Sequence, residues 1–182
     1  MALFTKSELR MRAARSTPAG QTRIMLAESA RSFSSFKKYD IFLSHCMLDA
    51  EAVLGLKLTL EDLKFSVYVD WIDDPQLDRS RVTRDSAETL RTRMKACRSL
   101  LYAASSNAEN SRWMPWELGF FDGLRGKVAV APVVDGYAST FQGQEYLSLY
   151  PWVDKETLTG LWVKSSLGTP SARRLNEWLA AA

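Results

Sequence analysis

Apolar and polar positions fall into alternating blocks along most of this chain. The first clear block is Tyr39-Asp40-Ile41-Phe42-Leu43-Ser44, whose Ile-Phe-Leu run is that of a strand buried on both faces. Residues 49–63 follow as a helix, with Asp49 at the cap and Val53, Leu54, Leu56, Leu60 and Leu63 on its apolar face. Residues 65–70 predict a second strand, and residues 71–80 a long acidic loop that carries Trp71. A helix over 83–95 places Ala87, Leu90 and Met94 on one stripe, and residues 99–104 predict a third strand. A polar loop over 105–111 leads into Trp113-Met114-Pro115-Trp116-Glu117-Leu118-Gly119-Phe120-Phe121-Asp122-Gly123. Proline is tolerated in a first helical turn, so this stretch predicts a helix capped by Asn110 or Ser111, with Glu117 in its opening turn and its end near Gly123 or Gly126. Residues 128–134 predict a fourth strand, in which Pro132 indicates an edge or a terminus. Beyond Asp135 the pattern weakens to one short strand within 147–153 and a closing helix over 171–181, capped by Ser171.

Four strand–helix alternations with long crossovers predict an α/β fold, a doubly wound, mostly parallel sheet of flavodoxin-like type. In such sheets ligands sit beyond the carboxyl ends of the strands. Ser44, His45 and Cys46 follow the first strand, Asp70 and Trp71 the second, and the loop into Glu117 the third. These residues are the candidate site.

Ahead of the sheet, residues 5–15 and 22–33 predict two short helices, broken at Pro18-Ala19-Gly20 and followed by a serine-rich linker. Residues 1–37 thus form a basic helical extension and residues 38–182 the main domain, with its core over 38–135 and a C-terminal strand and helix over 136–182. Charge sharpens this division. Residues 1–38 hold eight Lys/Arg against two Glu, whereas the remaining residues hold sixteen basic against nineteen acidic groups. A basic leader can meet nucleic acid, anionic lipid or an acidic partner, or it can be a solvated appendage packed on the domain or on a sister chain. With no stacking aromatics among its arginines, the packed appendage is the favoured reading and nucleic acid is not an expected partner.

Composition removes several chemistries. There is no apolar signal core and no run long enough to span a bilayer, so a cytoplasmic protein is expected. Two cysteines and one histidine predict no disulfide framework and no metal site. Neither a G-x-G-x-x-G nor a Walker pattern follows any strand. His45 beside Ser44 is poorly placed for a triad, because neighbouring strand residues point to opposite faces. A phosphate-accepting receiver domain would want an acidic pair where Ser44-His45 stands. Glu117 is either a functional carboxylate caught between a helix dipole and aromatic burial or a capping glutamate in a core seam.

The opening strand with its Ser44-His45, the strand ending in Asp70, and Ser111-Arg112-Trp113-Met114-Pro115-Trp116-Glu117-Leu118 together resemble the Toll/interleukin-1 receptor (TIR) domains. The resemblance covers residues 38–135, and its Trp-Met-Pro-Trp-Glu-Leu-Gly form is similar to bacterial members, such as the TIR proteins of Thoeris antiphage defence. It implies cleavage of the nicotinamide–ribosyl bond of NAD⁺ by Glu117, giving ADP-ribose, a cyclic ADP-ribose or a conjugate. It also implies NAD⁺ as substrate and no cofactor, with Trp71, Trp113 and Trp116 stacking on a base or excluding water. Further implications are self-association, a downstream effector that senses the product, and a chain that is sluggish when isolated. The nicotinamide already leaves as a neutral molecule from a cation, so one carboxylate can suffice where glycosidases use two. Two rival readings are a non-catalytic TIR adaptor, for which loop 71–82 is an interface, and a nucleoside deoxyribosyltransferase-like enzyme, against which the TIR-like first strand argues.

Overall fold

A computed structural model describes residues 3–16, 37–73, 83–136, 143–155, 160–165 and 170–181. The expected helix over 22–33 and most of the acidic loop, residues 74–82, lie outside these residues.

The centre is an eight-stranded sheet. Strands β1 (Phe4–Thr5), β2 (Tyr39–Ser44), β3 (Val67–Tyr68), β4 (Cys97–Ala104), β5 (Val128–Val134) and β6 (Trp152–Asp154) are parallel, and β7 (Trp162–Ser165) and β8 (Ser171–Arg174) close it antiparallel. The order β3-β2-β4-β5-β6-β7-β8 contains the flavodoxin-like arrangement in its first five members. Its switch point falls between β2 and β4, where Ser44 pairs in register with Tyr102.

Two layers cover the sheet. On one side lie α1 (Lys6–Ser16), α2 (Ala50–Asp62) and α6 (Leu175–Ala180), packed on Ile41, Leu43, Leu101, Ala103, Ala129 and Ala131. On the other lie α4 (Arg84–Lys95) and α5 (Trp113–Arg125), packed on Phe42, Leu100, Tyr102, Val128 and Val130. The short α3 (Asp70–Asp73) follows β3. Alternation along β2 and β4 sends successive side chains to opposite layers, which is why these strands read as unbroken apolar runs.

Residues 4–16, the start of the basic leader, add a strand to the sheet and a helix to one layer. Phe4 and Leu9 are buried, and α1 lies across α2. This second cover is why α2 buries Ala52, Val53, Leu54, Gly55, Leu56 and Leu60 around much of its circumference, rather than on one stripe.

Several local expectations shift. Pro132 is in a strand paired on both edges, not in an edge strand. Val130 donates its N–H to Pro151 O, so two residues on the nitrogen of Pro132 faces the same edge. There β5 passes from its pairing with β6 at Val130 to its pairing with β1 at Val133, and no ladder bond is lost. The expected helix over 171–181 begins as β8, and only Leu175–Ala180 is helical. Arg173 and Arg174 on this exposed edge strand discourage edge-to-edge pairing. The acidic end of the second strand is not extended, because Asp70 opens α3. Glu117 is the fifth residue of α5, in its second turn, since the helix starts at Trp113. Ser111 Oγ accepts from Met114 N–H, and Gly126, at φ 62°, closes the helix in the left-handed conformation with its N–H on Asp122 O.

Asp40 joins β2 to the turn before β3. Its carboxylate accepts from Ser66 N–H (2.9 Å), from Ser66 Oγ (2.8 Å) and from Arg98 (3.3 Å). Burial pushes this carboxyl up, but the Ser66 bonds and the Arg98 guanidinium outweigh it and hold Asp40 below the usual carboxylate range. A depressed folded-state value stabilises the protein above the unfolded value of about 3.9 and loses that contribution as pH falls through the folded one. Urea unfolding between pH 6 and pH 2 is expected to show a shallower acid loss for Asp40→Asn than for the wild type. Parallel profiles would contradict this.

Candidate active site

Glu117 is fully buried, with no solvent-exposed surface, and its Oε2 accepts from Ser44 Oγ at 2.6 Å. Ser44 ends β2, is itself fully buried, and points to the α5 layer because Leu43 before it points to the other. Trp113, one turn ahead of Glu117 on the same helix face, is buried in the core of that layer. Beneath Ser44 and Glu117 stands Tyr102, whose phenol burial pushes strongly upwards, with Tyr146 and the Glu117 charge adding to the shift, so it stays a neutral donor. A carboxylate offers about four lone-pair positions, and Ser44 Oγ meets Oε2 at one of them. The arrangement can therefore accept hydrogen bonds from a ligand's hydroxyls and stabilise positive charge that develops beside it.

The other candidate residues divide between the two layers. Cys46 is buried and lies in the α5 layer with Phe42 and Tyr68. Trp116 is turned along α5 away from the Glu117 stripe. It stacks on Phe120 (5.8 Å, 16°) beneath the Arg91 guanidinium (5.4 Å), which makes it part of the α4–α5 seam. His45, Asp70 and Trp71 form a second cluster. His45 Nδ1 meets Leu43 O at 2.9 Å, so this nitrogen carries the proton, because a carbonyl only accepts. Its Nε2 faces Asp70 Oδ1 at 3.5 Å, and the ring stands edge-on to Trp71 at 6.3 Å. Trp71 packs against the core of the α1–α2 layer. Trp71 and Glu117 thus lie on opposite sides of the sheet edge, not across one cleft.

Asp49, read in the sequence as a helix cap, makes no capping bond. Its carboxylate instead accepts from Ser105 Oγ (2.5 Å) and Asn107 Nδ2 (2.8 Å), and pairs with Lys6 (3.3 Å). Lys6 also binds Ser106 Oγ (2.8 Å) and Asp135 (2.9 Å). One ammonium from the leader thereby ties together the loops at the carboxyl ends of β2, β4 and β5. Nothing in the local sequence around Lys6 indicates this; only the β1–β5 pairing brings it there.

A cleft of about 190 Å³ lies between the ends of β4 and β5, lined by Ser105, Ser106, Glu109, Asp135 and Gln144 among others. At its rim Tyr102 Oη donates to Gln144 Oε1 at 3.3 Å. Among the described residues, no group of three or more His, Cys, Asp or Glu is placed to hold a metal ion, and no helix is long and apolar enough to cross a membrane.

No protein-family model matches the chain. It is 48% identical over 161 residues to a Bacillus cereus (strain MSX-D12) protein named "Probable 3' cyclic ADP-D-ribose synthase ThsB'", a match spanning 85% of this chain and 82% of that protein. It is also 27% identical over 85 residues to a Cytobacillus dafuensis protein, TIR2, provisionally named a cyclic ADP-D-ribose synthase. That second match spans 46% of this chain and 22% of the relative. The flavodoxin-like sheet, the buried Ser44–Glu117 pair at its switch point and the near-full-length likeness agree, and the chain belongs to the bacterial TIR-domain family of ThsB′.

Proposed function

We propose that this protein cleaves the nicotinamide–ribosyl bond of NAD⁺ and joins the ribosyl carbon to a hydroxyl of the adenosine ribose. The products are nicotinamide, a cyclic ADP-ribose and one proton released to solvent. The observation that carries the reading is the fully buried Glu117 carboxylate bonded to Ser44 at the switch point of the sheet. The C–N bond breaks with both electrons going to the ring nitrogen, which turns a pyridinium into neutral nicotinamide. The ribosyl carbon becomes electron-poor, and Glu117 stabilises that charge while accepting hydrogen bonds from ribose hydroxyls. Since the leaving group needs no protonation, the reading requires neither a second carboxylate nor a metal or added cofactor, and chelators should leave turnover unchanged.

Ring closure rather than hydrolysis is supported by two points. The carboxylate has no contact with solvent in this state, so water is a poor competitor. The longer-matching relative is named for a cyclic product. Sealing also supports a requirement for rearrangement before substrate enters, and self-association is the event the TIR family membership suggests. In this reading the protein acts in the bacterial cytoplasm as an antiphage signalling enzyme, and a downstream effector senses its nucleotide.

Incubating the pure protein with NAD⁺, dilute and concentrated, and identifying products by mass tests the proposal. Equimolar nicotinamide and a nucleotide one water lighter than ADP-ribose are expected, with specific activity rising with protein concentration. ADP-ribose alone would make the protein a hydrolase, and no turnover at any concentration would favour a scaffold that works by TIR–TIR contact.

A further inference from the structure

His45 and Asp70 are buried titratable groups to which the proposed reaction gives no task. The His45 ring clamps its own strand. Its Nδ1–H donates back to Leu43 O at 2.9 Å, so ring and main chain close a small loop around Ser44. Ser44 is the residue whose Oγ donates to Glu117 Oε2 at 2.6 Å, and the main chain on either side of it sets the aim of that hydroxyl. With the Nδ1 proton so engaged, the other ring nitrogen, Nε2, faces Asp70 Oδ1 at 3.5 Å. Two lone pairs at that separation repel, whereas one proton between them turns the contact into an attraction. Asp70 opens α3, so the same ring joins the end of β2 to the start of that helix.

The other charges around the ring are matched by partners of their own. Cys46, Asp49 and Ser105 line one small cavity with His45, and Asp49 is met by Lys6 at 3.3 Å. Asp73, at the other end of α3, accepts from Val69 N–H at 2.7 Å and faces Lys57 of α2 at 4.0 Å. Asp70 is therefore the carboxylate placed to hold the ring. We infer that His45 and Asp70 hold one proton between Nε2 and Oδ1, and that this pair is the positioning device that aims Ser44 at Glu117. The pair acts through Ser44 and touches no substrate in this role. Its sign follows from the lone pairs. The clamp is set below the titration of the pair. As pH rises through that titration the proton goes to solvent, attraction becomes repulsion, and Ser44 loses its aim. The kinetic consequence rests on the reaction proposed above, whereas the shared proton and its effect on Glu117 do not.

The chain has a single histidine, so its imidazole signals are unambiguous in nitrogen-15 NMR of the whole protein. Nδ1 is expected to stay protonated across the titration, with only Nε2 changing. Asp70→Asn is expected to lower the midpoint by about one to three pH units, the shift that follows loss of an opposite charge at this range. The Glu117 carboxyl carbon, followed by selective carbon-13 labelling, is expected to shift with the histidine midpoint in the wild type and not in Ser44→Ala. In turnover of NAD⁺, kcat is expected to fall about tenfold as pH rises through the wild-type midpoint, the loss expected of Ser44→Ala, with KM little changed. Asp70→Asn keeps a neutral donor for Nε2 and is expected to abolish this fall. Asp70→Ala removes the donor and is expected to lie about tenfold low across neutral pH, yet to cost nothing further in a Ser44→Ala background. A proton on Nε2 with none on Nδ1, a midpoint indifferent to Asp70→Asn, or a Glu117 signal that ignores the midpoint would each overturn the inference. So would losses from Asp70→Ala and Ser44→Ala that multiply, which mark a general structural role. If the NMR expectations hold and NAD⁺ is not turned over at any pH, the positioning pair stands and the proposed reaction falls. Turnover with the same pH profile in the wild type and Asp70→Asn leaves the reaction standing and removes the pair from it.

Discussion

Glu117→Gln is expected to stop nicotinamide release and leave the protein folded. Glutamine has the shape of glutamate, and its carbonyl oxygen can still accept from Ser44 Oγ, so the packing of α5 on β2 is preserved. What is lost is the negative charge beside the ribosyl carbon. Removing one preorganised electrostatic stabiliser costs on the order of 10²–10³ in kcat, and a full charge in a water-excluded site is worth at least that. Stability should move the other way. A fully buried carboxylate is costly to desolvate, so its neutral replacement is expected to unfold at the same temperature or higher. Chromatographic assay of nicotinamide and a thermal melt on one preparation decide the matter. Wild-type turnover in the variant would remove Glu117 from the chemistry, and a lowered melting temperature would make it a structural group. Ser44→Ala is expected to be intermediate, with kcat reduced about tenfold for the loss of one charge-assisted bond and KM little changed.

The second large effect is expected at Gly55, in the middle of α2. A Cβ built there would stand 1.9 Å from Leu9 O and 2.5 Å from Leu9 C. Both atoms are backbone, so no side chain can swing aside, and α1 must withdraw. Ala is favoured over Gly in a helix by about 1 kcal/mol, and an ordinary Gly→Ala change would raise the melting temperature. Here Phe4, Leu9 and Ala13 would lose their burial, at roughly 1.5–3 kcal/mol for each large side chain. A net loss of about 3 kcal/mol corresponds to a drop of roughly 6–12 °C for a chain of this size. Hydrogen exchange should show α1 amides losing protection as Lys6 leaves Asp49 and Asp135. A melting temperature raised by Gly55→Ala would show that α1 does not depend on this close approach.

The sheet was legible in the sequence because its central strands are buried on both faces, and burial writes itself as runs such as Ile41-Phe42-Leu43 and Leu100-Leu101-Tyr102. The crossovers were legible through α4, whose apolar spacing follows the helical period, and through the leucine-rich run of α2. The closing segment was not: Ser171-Ala172-Arg173-Arg174 is an exposed edge strand, polar by necessity, and only its partner β7 makes it a strand. Glu117 and Ser44 each stand out in the sequence, but their bond spans distant parts of the chain, and no spacing rule reports it. Trp113 and Trp116 illustrate a different limit. Aromatic content marks a stretch as important, whereas the turn-by-turn rotation of α5 decides that Trp113 shares a face with Glu117 while Trp116 joins Phe120 and Arg91. Tyr102 and Gln144 carry no signal in the sequence. A tyrosine in an apolar strand reads as core, and a glutamine in a polar loop reads as surface.

The pairing of β1 with β5 imposes an order on synthesis. Phe4 pairs with Val133, so β1 leaves the ribosome long before the strand it pairs with. At roughly 5–20 residues per second, on the order of ten seconds separates the two. Throughout that interval Phe4 has no strand to pair with, and Lys6 has no Asp135 to bind. The tie from Lys6 to the loop after β5 therefore forms only once that strand has been made. The segment made early thus closes the sheet late, after the strand it borders has been made.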